Sequence, residues 1–279
     1  MTLLVQISDP HFGTERAPVL EALVRFVHDQ KPTIAVLSGD ITQRARAAQF
    51  RAAKAFVERL GVVPTLVIPG NHDIPLYNLA ARVARPYEGF RRVFGRDLEP
   101  EFESDDLLVL TLNTTRAYLH EKGAVSPRQV ERVARRLERA LPTQLRIVVT
   151  HQPVSVTRRE DRADLLHGHA RAVRRWAAAG ADLILGGHIH LPFVQALHES
   201  ERGLARKVWA VQAGTAVSSR VRDDAGNSVN LIRCQGPTPP RIPPPPRRCS
   251  VERWDYDAGA DRFVVVARDD LVFDDAGHR

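Results

Sequence analysis

The chain has 279 residues, of which 43% are hydrophobic, and carries a formal net charge of +7 at pH 7. This length suits one layered α/β domain with a sizeable core, and the absence of any run of about 18 apolar residues excludes a membrane-spanning helix. The only two cysteines, Cys234 and Cys249, are too few for a disulfide framework and are predicted to be buried thiols.

Strand-like and helix-like segments alternate over residues 1–205. Strands are predicted over 3–8, 33–38, 65–69, 107–112, 146–150 and 182–185. Helices are predicted between them over 18–30, 44–60, 87–94, 126–140 and 162–179. Because βα alternation is typical of parallel strands, the sequence predicts a largely parallel sheet covered by helices.

The pattern changes after residue 206, where strand-like segments follow one another with little helix between them. These segments cover 207–212, 229–234, 250–256 and 262–267 and predict an antiparallel part that completes a β-sandwich. The whole chain, 1–279, is predicted to be a single domain. Its proline-rich segment 236–248 is predicted to be a long solvated loop, and the alternative is a polyproline ligand for a partner.

Short polar blocks follow five of the predicted strands. In the first and last blocks the candidate ligands are spaced i, i+2, which on an extended chain puts both side chains on one face. The ends of parallel strands are the usual location of ligand sites in α/β sheets. The blocks are Asp9-Pro10-His11, Gly39-Asp40, Gly70-Asn71-His72-Asp73, His151 and Gly187-His188-Ile189-His190.

The donor types in these blocks predict a site for two transition-metal ions. Carboxylate, imidazole and amide oxygen are borderline to hard ligands that suit manganese, iron or zinc. If Asp9 and Asp40 are the only anionic ligands, two divalent ions and a bridging hydroxide leave a net charge of about +1, which favours an anionic substrate. Gly39 and Gly70 are predicted to let the backbone turn sharply beneath a metal.

In this order the blocks resemble the calcineurin-like metallophosphoesterase superfamily, whose pattern is D-x-H, G-D, G-N-H-D/E, H and G-H-x-H. The resemblance covers residues 1–215 and is greatest to the bacterial cyclic-nucleotide-phosphodiesterase-like (class III) branch. It implies an α/β fold with a two-sheet β-sandwich flanked by helices (αββα) and mixed sheets. It also implies that one metal is bound by Asp9, His11 and His190 and the other by Asn71, His151 and His188, with Asp40 bridging.

Further residues are candidates for contact with the substrate. The resemblance places His72 beside it, where this residue is predicted to donate a proton to the leaving oxygen, and Asp73 is predicted to orient His72 or to contact substrate. Arg44 is predicted either to hold phosphate, as in related phosphatases with a G-D-x-x-D-R sequence, or to be solvated on the first turn of a helix. Asn113, which follows the strand over 107–112, is predicted to reach the substrate or to cap a turn.

The resemblance implies a metal-dependent phosphodiesterase that hydrolyses a small phosphodiester, such as a cyclic nucleotide or a glycerophosphodiester, by attack of metal-bound hydroxide. The alternative is a phosphomonoesterase or a nucleotide pyrophosphatase on the same site. A nuclease and a non-catalytic binding module are less favoured. The expected partner is a small anionic phosphoester, and no membrane is involved.

The excess of arginine has two interpretations. It favours nucleic-acid binding if the charges share a patch, and it indicates ordinary solvated helix faces if they are scattered. The second is favoured because one predicted helix carries its basic residues opposite an apolar stripe: Arg128, Arg132, Arg135, Arg136 and Arg139. A cytoplasmic location is expected because the N-terminal residues enter a strand without a basic start and an apolar run.

Overall fold

The computed structural model describes residues 2–201, 203–222, 225–234 and 247–273. The strands in these ranges are β1 Thr2–Ile7, β2 Ile34–Ser38, β3 Thr65–Ile68, β4 Glu101–Glu103, β5 Leu107–Thr111, β6 Leu145–Val149, β7 Leu183–Gly186, β8 Phe193–Ala196, β9 Trp209–Gln212, β10 Ser228–Cys234, β11 Arg248–Asp257 and β12 Arg262–Val272. The helices are α1 Ala17–Gln30, α2 Ala47–Leu60, α3 Leu79–Ala84, α4 Glu88–Phe94, α5 Pro127–Glu138, α6 His169–Ala179 and α7 Leu197–Ser200, with short 3-10 turns at Asn71–Asp73 and Glu160–Asp164.

The described strands form two mixed sheets of six strands each. The first has the order β12-β11-β10-β1-β2-β3, in which β1, β2 and β3 are parallel and β10 to β12 are antiparallel. The second has the order β4-β5-β6-β7-β9-β8, with four parallel strands between antiparallel edges. Two mixed sheets flanked by helices confirm the predicted fold class.

Three apolar layers hold the sheets and helices together. Leu4 and Val36 of the first sheet pack with Ile147 of the second in the layer between the sheets. The neighbouring Val5 points the other way and packs beneath α1 and α2, and Val148 packs beneath α5 and α6. Because side chains alternate between the faces and both faces are buried, these strands have continuous apolar sequences.

Several predicted elements differ from those observed. The strand over 207–212 is predicted for the antiparallel part, but β9 pairs parallel with β7 in the second sheet and antiparallel only with the edge strand β8. The helix predicted over 162–179 begins only at His169, after the 3-10 turn Glu160–Asp164. The helix predicted from Arg44 begins at Ala47, because the Gln49 side chain accepts hydrogen bonds from the amides of Arg44 and Arg46 and closes the preceding loop.

Two other predictions concern the proline-rich segment and membrane-spanning helices. The proline-rich segment 236–248 lies outside the described residues apart from Arg247 and Arg248. None of the helices in the described ranges is both long enough and apolar enough to span a bilayer.

Candidate metal centre

The loops that carry the predicted ligands converge at the carboxyl ends of the parallel strands. Asp9, Asp40 and Asn71 follow β1, β2 and β3 in the first sheet, and His151 and His188 follow β6 and β7 in the second. Backbone hydrogen bonds join neighbouring loops, from Asp9 to the Gly39 carbonyl and from Gly187 to the His151 carbonyl. The two sheets therefore bring residues from distant parts of the chain to one site.

One cluster contains Asp9, His11 and His190, whose nearest ligand atoms all lie within 4.8 Å of one another. Nε2 of His190 is 3.0 Å from Nε2 of His11 and 3.4 Å from Oδ1 of Asp9. Oδ2 of Asp40 approaches the same cluster, 3.6 Å from Nε2 of His11. These are the residues that the resemblance assigned to one metal.

The second cluster contains Asp40, His151 and His188, again within 4.8 Å of one another. Nε2 of His151 lies 3.3 Å from Oδ1 of Asp40 and 3.3 Å from Oδ1 of Asn71. The two carboxylate oxygens of Asp40 thus face different clusters, Oδ2 the first and Oδ1 the second. This arrangement is what a carboxylate shared between two cations requires.

The candidate ligands adopt unusual backbone conformations. Positive φ angles between 44° and 73° occur at Asp9, His11, Asp40, His188 and His190. Left-handed backbone costs a non-glycine residue roughly 1–3 kcal/mol, and such strain is concentrated at functional sites. Here it lets consecutive side chains at a strand end turn toward one point.

Two glycines allow the backbone to approach the ligands closely. A Cβ on Gly70 would overlap the amide nitrogen and Oδ1 of Asp40, and a Cβ on Gly187 would overlap Oγ of Ser8. The prediction that glycine is needed at position 70 for a sharp backbone turn is wrong, because φ of Gly70 is −101° and any residue adopts that angle. The prediction of a sharp turn does hold for Gly39, whose φ is +104°.

Burial and neighbouring charges shift the pKa values of these groups in opposite directions. Burial opposes ionisation of Asp9, but the close approach of the His190 ring outweighs it and lowers the pKa of Asp9 to about 2. Burial lowers the pKa of His11 to about 3, so its ring is neutral at pH 7. Burial also opposes protonation of His151, but anionic Asp40 raises its pKa to about 9, so a cation must compete with a proton for this ring.

Unpartnered atoms and fixed tautomers show that these residues fit a metal ion. Oδ1 of Asp9 and Nδ1 of His188 are buried without a hydrogen-bond partner among the described residues. Nδ1 of His151 donates to the Ser38 carbonyl at 2.9 Å and Nδ1 of His190 to the Arg220 carbonyl at 2.6 Å. These bonds leave each Nε2 facing its cluster, as in metal sites whose ligands are oriented from behind.

His72, the predicted catalytic residue, lies at the edge of both clusters. Its Nδ1 donates to the Gln43 carbonyl at 2.9 Å, and its Nε2 is 4.0 Å from Oδ2 of Asp40. Distance alone does not separate it from the ligands, since His11, Asp40 and His72 also lie within 4.8 Å of one another. Its greater exposure, 17% of the side chain, and its contact with Arg220 at 3.4 Å place it toward the solvent.

The prediction for Asp73 does not match its position, and Asn113 takes the second of its two predicted roles, that of a turn cap. The buried Asp73 carboxylate accepts hydrogen bonds from the amides of Gly70, Ile41 and Thr42, and burial together with the charge of Asp40 raises its pKa to about 6. It therefore braces the loops instead of orienting His72 or meeting substrate. Asn113 accepts from the amide and hydroxyl of Thr115 and caps a turn.

Two clefts adjoin the clusters, and they separate the remaining candidates. The metal cleft, of about 240 Å³, is lined by Asp40, His72, His188 and His190, among others. Arg44 lines the neighbouring cleft, of about 170 Å³, and not the metal cleft. Its predicted phosphate-holding role therefore has no support at the metal clusters.

Sequence reasoning missed several polar residues around the metal cleft. Arg220 and Arg222 come from the segment after β9, which the sequence pattern did not place. Asp164 lies 3.7 Å from Nε2 of His188, the ring nitrogen opposite the buried Nδ1. These residues lie on loops and at the end of a short 3-10 turn, where the sequence has no periodicity, so only their charge could have drawn attention to them.

The fold and the convergent side chains define a two-sheet α/β protein with a candidate dinuclear metal centre at its strand ends. The calcineurin-like phosphoesterase family matches residues 2–192, and the chain therefore belongs to this family of metal-dependent phosphoester hydrolases. The narrower resemblance to cyclic-nucleotide phosphodiesterases stays a prediction. A search of curated protein sequences found no significant match.

Solved structures with this fold include two phosphatases. Purple acid phosphatase PPD1 from yellow lupin (Lupinus luteus) seeds has a TM-score of 0.68 at 12% identity, over 97% of this chain and 53% of that chain. The chain thus spans about half the length of the lupin structure. A dimetal phosphatase from Danio rerio has a TM-score of 0.65 at 12% identity, over 98% of this chain and 99% of that one. At such identity the likeness shows the fold alone.

Proposed function

We propose that the protein is a dinuclear-metal phosphodiesterase that hydrolyses a small phosphodiester, of the cyclic-nucleotide or glycerophosphodiester type. The observation that carries this proposal is the position of Asp40, shared by two ligand clusters, with His72 beside it. Bound at these clusters, two metal ions would supply Lewis-acid stabilisation of a phosphoryl group and an activated water. Manganese, iron and zinc all suit this donor set.

The chain's own residues would position the substrate and handle the proton. The Gln43 carbonyl holds Nδ1 of His72, which leaves Nε2 directed at the site. In the imidazolium form, with a proton on both ring nitrogens, Nε2 would give its proton to the departing alcohol oxygen and leave the ring neutral, with Nδ1 still donating to Gln43. Arg220, which contacts the same Nε2, is placed to meet a phosphoryl oxygen.

The charge of the metal cleft supports a diester over a monoester. Besides Asp40, three carboxylates line it. Asp161 pairs with Arg222 at 2.8 Å, which leaves Glu121 and Asp164 beside the ligand clusters. A phosphodiester carries a single negative charge, whereas a monoester near neutral pH carries up to about two. Repulsion from these carboxylates grows with the charge of the substrate and therefore disfavours the monoester.

A phosphomonoesterase is the second candidate, and Arg220 is the observation that favours it. Its guanidinium lies beside His72 without a carboxylate partner among the described residues, so it would also stabilise the extra charge of a monoester. The two candidates differ in which charge dominates, that of Arg220 or that of the carboxylates.

A comparison of two substrates tests the proposal. We expect protein loaded with manganese to hydrolyse bis(p-nitrophenyl) phosphate with a higher kcat/KM than p-nitrophenyl phosphate. Asp40→Asn serves as the control, because it removes the shared ligand and should abolish hydrolysis of both. A preference for the monoester would support the second candidate. Inactivity with manganese, iron and zinc alike would contradict hydrolysis altogether.

A further inference from the structure

The cleft beside the metal cleft has a composition of its own. It shares His72, Glu121 and Arg220 with the metal cleft, and Asn71 is the only predicted metal ligand that lines it. Its walls also contain Arg44 and Arg82. We call it the arginine cleft, after Arg44, Arg82 and Arg220. It extends the metal cleft away from the clusters, with His72 at the junction.

The guanidinium groups of the arginine cleft have no carboxylate partner within the described ranges. Arg82 is buried, and its nitrogen atoms donate to the carbonyls of Pro75, Ala117 and Leu119 at 2.7–3.2 Å. These carbonyls fix its position and leave its positive charge uncompensated.

Arg220 and Arg44 are positioned by neutral groups as well. Arg220 donates to Oε1 of Gln43 at 3.1 Å, and its guanidinium approaches His72. The guanidinium of Arg44 lies 5.7 Å from the ring centroid of Tyr77, a cation–π distance. Both side chains are thus held near the cleft by groups that do not neutralise their positive charge.

One carboxylate, that of Glu121, offsets these charges only in part. Its Oε1 lies 3.3 Å from Nδ1 of His120, which also lines the arginine cleft. Three arginines against one glutamate leave a positive surplus in a concave site. A guanidinium in this setting binds oxyanions through charge-assisted hydrogen bonds.

We propose that the arginine cleft is a subsite for a second anionic group, a phosphate carried by the part of the substrate that leaves at His72. The existence of the subsite follows from the charges above, and its assignment to the leaving half rests on the proposed function. Arg44 then binds this second phosphate and not the one that is hydrolysed. The preferred substrates are diesters whose departing alcohol is itself phosphorylated.

Equilibrium binding tests the subsite independently of catalysis. The full chain is stripped of metal with a chelator and titrated with inorganic phosphate by calorimetry. We expect one saturable site that Arg44→Gln or Arg220→Gln weakens by about tenfold or more, the effect of losing a charged hydrogen bond. Arg51→Gln, an equal charge change on the exposed face of α2, should bind phosphate as the unaltered protein does.

Two outcomes of the titration would overturn the proposal. One is the absence of saturable binding in the unaltered protein. The other is equal weakening by Arg44→Gln, Arg220→Gln and Arg51→Gln, which would show a general effect of net charge. Circular dichroism checks that each variant is folded. Arg44→Gln decides the result, because Arg44 lines the arginine cleft and not the metal cleft, whereas Arg220 lines both.

The leaving-half assignment is tested with dinucleotides on metal-loaded protein. The products of the thymidine dinucleotide TpT show which nucleoside departs. The isomers pTpT and TpTp then carry one extra phosphate on opposite nucleosides and have equal net charge. We expect the isomer phosphorylated on the leaving nucleoside to be hydrolysed about tenfold faster or more, and Arg44→Gln to remove the difference. Equal rates for the isomers would refute the assignment. No hydrolysis of any dinucleotide would count against the proposed function, while the phosphate titration still decides the subsite.

Discussion

His72 differs from the other histidines of the metal centre in its exposure. Its side chain is 17% exposed, against 10% for His190 and 0% for His11 and His151. Buried rings suit metal ligation, whereas a proton donor must reach the substrate. His72 also contacts Arg220, which the sequence pattern did not reveal.

Replacing His72 with alanine should slow hydrolysis without removing metal. On a diester with a poor leaving group, such as a glycerophosphodiester, we expect turnover to fall by roughly 10²–10⁴-fold, the usual contribution of a positioned acid. The fall should be smaller with p-nitrophenol as leaving group, because that oxygen needs little protonation. His167→Ala, at an exposed position outside the clefts, is the control. Unchanged turnover on the glycerophosphodiester would refute the acid role.

Gly70 tests whether close approach governs the geometry of Asp40. In Gly70→Ala the new Cβ meets the amide and carboxylate of Asp40, so we expect a loss of about 1–3 kcal/mol in the free energy of unfolding, typical of overpacking, and weaker metal binding. Gly226→Ala is a matched control, because a Cβ there meets nothing within 4 Å. Chemical denaturation and metal titration of both variants give the comparison. Equal stability of the two would contradict the close-approach account.

At the scale of elements, the strand ends could be predicted and the loops between them could not. A buried parallel strand is a continuous apolar run, so β1, β2, β3, β6 and β7 were visible in the sequence together with the ligands that follow them. The left-handed φ angles of residues such as Asp40 and His190 have only a weak sequence signal, because Asp and His are enriched in this conformation but seldom adopt it. Arg44 was misplaced because its loop is closed by one side chain, Gln49.

The pairing of β10 with β11 predicts how the cysteines react. Cys234 lies opposite Cys249, and burial raises the pKa of Cys234 to about 12 and that of Cys249 well above its usual value. A raised pKa reduces the fraction of thiolate at pH 8. We therefore expect iodoacetamide to react with the thiols of the native protein far more slowly than it reacts with the thiol of glutathione. In guanidinium chloride both thiols should react, as mass spectrometry would show. Labelling of native protein at the glutathione rate would contradict the burial of this strand pair.

At the scale of the whole molecule, the metal centre depends on how the two sheets meet. The sequence pattern predicted a parallel part and an antiparallel closing part, but the parallel strands are divided between the sheets. Local periodicity reports which faces of a strand are buried and carries no information about which sheet a strand joins. The five ligand blocks were found without that knowledge, because each follows its own strand. The arginine cleft was not found, because its residues come from α3 and from loops that are distant in sequence.

The metal content of purified active protein is the most direct test of the shared-carboxylate site. Elemental analysis should find two transition-metal ions per chain, and Asp40→Ala should lose both, because Asp40 contacts both clusters. His190→Ala, which alters one cluster only, should retain metal at the other. Active protein with no bound transition metal, or an Asp40→Ala variant that keeps two ions, would contradict the account.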